Sequence, residues 1–136
     1  MKFGQIFLLT AALLLAGGLY AAEGQTPVAV AESESFEAVG RLEDEGLVFY
    51  IDRSDSNAPV LGATLEVDSA GKSAKAVFRA ERGDYLVADA EWLKPLRQPG
   101  EYPLALTVIA GEESDLLTAD FMVTALPAGT AAGLGL

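Results

Sequence analysis

The run Asn57-Ala58-Pro59-Val60-Leu61-Gly62-Ala63-Thr64-Leu65-Glu66-Val67 constrains the fold of this chain more than any other stretch. Pro59 has no N–H to give a central strand, so it reads as a corner. Beyond it Ala63, Leu65 and Val67 alternate with Thr64, Glu66 and Asp68. That period of two puts apolar side chains on one face and polar ones on the other, the pattern of a half-buried strand. The figure returns in Gly83-Asp84-Tyr85-Leu86-Val87 and in Pro99-Gly100-Glu101-Tyr102. After the second, Tyr102, Leu104, Leu106 and Val108 share one face.

Weaker copies fill the intervals. Glu37 to Leu42 reads as a short strand, and Glu43-Asp44-Glu45-Gly46 as a polar turn ending in glycine. Leu47-Val48-Phe49-Tyr50-Ile51 is rich in residues suited to a pleated surface, with Leu47, Phe49 and Ile51 facing in. Ser69-Ala70-Gly71 turns the chain into Lys72 to Arg79, where Ala74, Ala76 and Phe78 oppose Lys75, Val77 and Arg79. Pro95 limits Glu91 to Gln98 to a single helical turn. Gly111-Glu112-Glu113 closes a hairpin to Leu116–Thr124, with Leu117, Ala119, Phe121 and Val123 facing in. About seven short strands at roughly 8–12-residue spacing predict an all-β fold, a single antiparallel immunoglobulin-like β-sandwich over residues 36–124. A domain of roughly 90 residues is long enough for a modest two-layer core.

The ends differ in composition. Lys2 followed by the apolar run Ile6–Leu19 has the charged and apolar regions of a secretory signal. Cutting after Gly24 leaves the small residues Ala22 and Gly24 at the positions cleavage requires, so residues 1–24 are expected to be removed and the mature chain to begin at Gln25. The rival expectation is an uncleaved N-terminal anchor helix, since Phe3 to Ala22 is about long enough to span a bilayer. Both place the domain outside the cytoplasm, in the periplasm or exported, and any membrane association would run through this segment. Residues 25–35 read as a linker or a loosely held first strand, and 125–136 as an Ala/Gly-rich tail.

Charge and residue absences limit the chemistry. With 9 basic and 20 acidic residues the net charge is −11, so phosphate-rich nucleic acid and anionic lipid are poor partners. The chain has no cysteine and no histidine, which removes thiol catalysis, disulfides, His/Cys metal sites and Ser-His-Asp triads together. No catalytic residue is assigned and no cofactor is implied.

Three groups of residues remain as candidates. Asp52, Asp55 and Asn57 bring hard oxygens into one loop, and calcium takes about six to eight such ligands. However, Arg53 interrupts the set, and the sixth and twelfth positions of an EF-hand count from Asp52 hold Asn57 and Ala63. A polar turn is the plainer expectation. The acidic turns Glu43-Asp44-Glu45 and Glu112-Glu113 with Asp115 contain carboxylates of the kind glycoside hydrolysis uses, without a run of aromatic platforms beside them. Tyr85 and Tyr102 each stand at a strand entrance as corner tyrosines, expected to bury the ring and bond the hydroxyl to backbone. Trp92, with Leu93 and Leu96, is expected to plug one end of the sandwich. If exposed instead, Trp92, Leu93 and Leu96 would form a partner-binding anchor.

From about Phe36 to Thr124 the layout resembles the small immunoglobulin-like domain near the N-terminus of periplasmic adaptor subunits of RND-type efflux systems, and is similar to YtkA-like exported domains. The matching pieces are Leu47–Ile51, Asn57–Val67, Gly83-Asp84-Tyr85, Pro99–Tyr102 and Ser114–Leu117. The resemblance implies a sandwich in the bacterial envelope, with transport or efflux components as its protein partners. An adaptor's helical hairpin, lipoyl and barrel domains have no counterpart here, and neither do His-rich or Met-rich metal-handling stretches. The expected function is therefore that of a non-enzymatic, exported β-sandwich module mediating protein–protein contact, accessory to an efflux adaptor. A small-ligand or calcium-binding module using the Asp52–Asn57 loop is the alternative.

Overall fold

Two long strands with the sharpest alternation, β8 (Gly100–Ala110) and β9 (Glu113–Val123), form a hairpin in which Leu104, Leu106 and Leu117 point inward and are buried. They belong to a computed structural model that describes residues 26–125. The expected signal or anchor, residues 1–24, and residues 126–136 of the expected tail lie outside the described residues.

Seven further strands complete two antiparallel sheets: β1 (Val28–Glu32), β2 (Phe36–Glu43), β3 (Gly46–Arg53), β4 (Thr64–Ser69), β5 (Lys72–Lys75), β6 (Val77–Arg79) and β7 (Asp84–Val87). One sheet has the order β1-β2-β3-β7-β6 and the other β5-β4-β8-β9. The all-β sandwich read from alternation is therefore present. Between the sheets lie Phe36, Phe49, Ile51 and Tyr85 from the first and Leu65, Val67, Val108 and Phe121 from the second, all buried. Each such side chain contributes about 1.5–3 kcal/mol on leaving water.

The strand count differs from expectation at two places. Of the two readings of residues 25–35, linker or first strand, the strand is the one present over Val28–Glu32, which pairs with β2, Val28 opposite Arg41 and Glu32 opposite Glu37. Ala29 and Ala31 face the core, where small side chains bring β1 close to β9 at the sandwich edge. The sandwich thus begins at Val28 rather than Phe36. Lys72–Arg79, read as one strand, divides at Ala76, whose N–H donates to the Leu65 carbonyl at 2.9 Å. Its first half pairs with β4 and its second with β7, so one run of chain closes the sandwich by passing between sheets.

After β7 comes a single helical turn, α1 (Ala90–Leu93), with the Asp89 carboxylate accepting from the N–H groups of Glu91 and Trp92 at 3.1 and 3.2 Å. Pro95 opens a short 3₁₀ turn to Arg97 instead of extending the helix. Among the described residues no helix is long and apolar enough to cross a membrane.

Candidate functional site

The residues singled out from sequence fall on three different parts of the sandwich. Trp92 lies at the base of α1 and is only 6% exposed, with its indole N–H donating to the Lys72 carbonyl at 2.8 Å. Leu93 and Leu96 are buried in the same core. The expected plug is what the structure contains. The partner-binding alternative for Trp92, Leu93 and Leu96 required exposure, and these side chains have little surface to offer.

The Asp52–Asn57 loop closes on itself. The Asn57 N–H donates to the Arg53 carbonyl, and Arg53 N–H to that of Ala58, both at 2.8 Å. Asn57 takes φ of 61°, a left-handed turn geometry that asparagine tolerates. Asp52 is the last outward residue of β3, while Asp55 and Asn57 are exposed in the turn. Among the described residues no group of three or more His, Cys, Asp or Glu side chains could hold a metal ion. The arrangement is that of a polar turn.

The acidic turns lie far apart. Glu45 meets Arg79 at 3.0 Å, beside the start of β3, whereas Glu113 meets Arg53 at 2.6 Å, at its end. The strand is eight residues long, which puts its two ends roughly 23 Å apart. Carboxylates at that spacing do not flank a single glycosidic bond.

Both corner tyrosines make their expected backbone bonds. The Tyr85 hydroxyl donates to the Val60 carbonyl at 2.7 Å and accepts from the Ala63 N–H at 3.0 Å, tying β7 to the Pro59 corner. Burial pushes its pKa up, and the bond from Ala63 partly opposes this. The Tyr102 hydroxyl donates to the Gln98 carbonyl at 2.7 Å, its ring lying over Gly100. A Cβ on Gly100 would stand 3.0 Å from that hydroxyl, and the residue's φ of 158° also suits glycine.

What sequence reading missed is the outer face of the five-stranded sheet. An antiparallel sheet with one solvated face normally alternates apolar-in and polar-out. Here two neighbouring outward rows are largely apolar, with charged residues on either side of them. Register places Val30, Val39 and Tyr50 side by side across β1, β2 and β3. The adjoining row runs Val28, Arg41, Val48, Leu86 and Val77 across all five strands. Val28, Val30, Tyr50 and Val77 are 41, 52, 46 and 64% exposed. Toward β6 and β7 the face is tied down by a buried carboxylate. Asp84 is 1% exposed and accepts from Arg79 at 2.7 and 2.9 Å. Asp84 first and then Glu45 hold the Arg79 pKa still further above its ordinary range. The signal was in the sequence once β1 is a strand, because Val28 and Val30 then point opposite to Ala29 and Ala31.

The outer face of the second sheet is more mixed. Exposed Ile109, Leu116 and Met122 are interspersed with Thr107, Thr118 and Asp120. A shallow hollow of about 320 Å³ lies there, over Ala105 between Asp68 and Asp120. One carboxylate oxygen of Asp68 (Oδ1) is shielded and has no hydrogen-bond partner.

Comparison of the chain with protein-family models, with curated proteins and with solved structures finds no match. The functional reading therefore rests on the residues and geometry described above.

Proposed function

We propose that this chain is a non-enzymatic, exported β-sandwich module of immunoglobulin type that works by protein–protein contact in the bacterial envelope. The observation that carries the reading is the apolar outer face of β1, β2 and β3, centred on Val30, Val39 and Tyr50. Contiguous apolar surface on a folded domain marks an interaction site more often than an accident of composition. The type of sandwich is supported by strand order. Leaving β1 aside, β2-β3-β7-β6 against β5-β4-β8-β9 matches the ABED and C′CFG sheets of immunoglobulin domains. Tyr102 supports it further, standing at the start of β8 with its hydroxyl on backbone four residues upstream. Export is supported by the signal-like residues 1–24. Service beside an efflux adaptor is the narrower form of the proposal and is supported by the sequence resemblance alone.

The test is affinity purification of the tagged chain from gently solubilised envelopes, alongside a Val30→Asp variant, with mass spectrometry of the co-purifying proteins and of the chain's own N-terminus. Asp is a poor strand residue and costs about 1 kcal/mol at such a position, so the melting temperature of the variant is compared with that of the wild type to show that it is folded. The expected result is a specific set of envelope proteins with the wild type, their loss with Val30→Asp, and a mature start at Gln25. An identical protein set from both forms would reject this face as the contact surface.

A further inference from the structure

The apolar face is bordered by a row of like charges that folding does not call for. Glu32 lies directly opposite Glu37 on β2, and Glu37 directly opposite Asp52 on β3. All three are outward positions in the row next to Val30, Val39 and Tyr50. Like charges directly opposite one another across strands are destabilising. None of the three takes part in an ion pair among the described residues, where the arginine pairs go to Glu45, Asp84 and Glu113. The same face therefore combines exposed valines and a tyrosine with three adjacent carboxylates lacking a basic partner.

We infer that the outer face of β1, β2 and β3 docks a partner protein whose contact surface carries apolar side chains flanked by lysines or arginines, the basic groups lying over Glu32, Glu37 and Asp52. This deepens the contact function proposed above and rests on it. The apolar rows supply area removed from water, and the carboxylate row sets orientation and rejects acidic competitors. An anionic membrane surface or a nucleic acid would be repelled by that row. A second copy of this chain, at −11, would meet the same repulsion over its whole surface.

The test is site-specific photo-crosslinking with the full chain in its native cells. A photoreactive aromatic amino acid replaces Tyr50 in one strain and, as a control on the other sheet, Thr118 in a second. Each is combined with the neutral set Glu32→Gln, Glu37→Gln, Asp52→Asn, and with the reversed set placing Lys at the same three positions. Relief of the opposed charges should leave the neutral set at least as thermally stable as wild type, so lost contact could not be ascribed to unfolding. The expected result is an adduct from the Tyr50 site, reduced about tenfold or more by either set, and restored to the reversed set when lysines or arginines of the captured protein are changed to Glu. A Tyr50-site adduct untouched by both sets would overturn this inference while leaving the contact function standing. A Tyr50-site adduct of two copies of this chain, or an adduct from the Thr118 site alone, would also overturn it. Adducts from neither site would overturn the inference and the contact function together.

Discussion

Tyr85 is the side chain whose loss should be felt most widely, because one hydroxyl serves two backbone groups of the corner before β4. It donates a hydrogen bond to the Val60 carbonyl and accepts one from the Ala63 N–H, while the ring is fully buried and packs 5.0 Å from Phe78. Tyr85→Phe keeps the ring but leaves a shielded carbonyl and N–H without their partner. The expected loss is about 1–2 kcal/mol in urea denaturation at neutral pH. The pH dependence has a definite sign. The folded pKa of Tyr85 is raised above the ordinary tyrosine value of about 10, so its contribution is complete below that pH and is lost as pH rises through the folded value. The wild type should therefore lose stability faster than Tyr85→Phe above about pH 10, narrowing the gap between them. A gap that stays constant through the alkaline range would show that the hydroxyl is not held by burial. Arg53 offers a milder case of one side chain in two roles. It pairs with Glu113 and lies 5.4 Å over the Phe36 ring, so Arg53→Ala should be more damaging than Glu113→Ala, each within about 1 kcal/mol.

Among the elements, β1 is the one whose status matters most. It forms the full register with β2 and buries Ala29 and Ala31 against the edge that β9 shares. A chain beginning at Ser33 should be less stable than one beginning at Gln25 by about 2 kcal/mol or more, roughly 10 °C in Tm. Equal melting of the two would return residues 25–35 to the status of a linker. The contrast between β1 and β8 shows what the sequence made legible. In β8 the inward Leu104, Leu106 and Val108 are large, and alternation with Pro103, Ala105 and Thr107 is plain. In β1 the contrast is inverted: the small alanines face in and the valines face out. A reading that sends large apolar residues inward can offer such a segment as a loosely held first strand but cannot tell it from a linker. The same inversion hid the candidate surface, since Val28 and Val30 complete the apolar rows begun by Val39, Val48 and Tyr50. The break at Ala76 was hidden for a related reason. A strand that changes sheets keeps its alternation, and only the pairing partners reveal the step. Where a residue's role is local, as for Pro95 ending α1 or Tyr102 at its corner, the sequence was sufficient.

At the scale of the whole molecule, the two outer faces differ in composition. The four-stranded sheet shows water a mixed surface of threonines, carboxylates and scattered apolar residues, as a solvated face does. The five-stranded sheet shows valines and a tyrosine in register, bordered by Glu32, Glu37 and Asp52. A net charge of −11 opposes self-association through the apolar rows and favours encounters with basic surfaces. The central claim is that the valine–tyrosine face is covered in the envelope. Carbene footprinting of the chain within intact envelopes, compared with the purified chain, tests it most directly. The account predicts that Val28, Val30 and Tyr50 label strongly in the purified chain and at least about threefold less in the envelope, with Leu116 and Met122 on the other sheet labelling alike in both. Equal labelling of Val28, Val30 and Tyr50 in the two settings would contradict it.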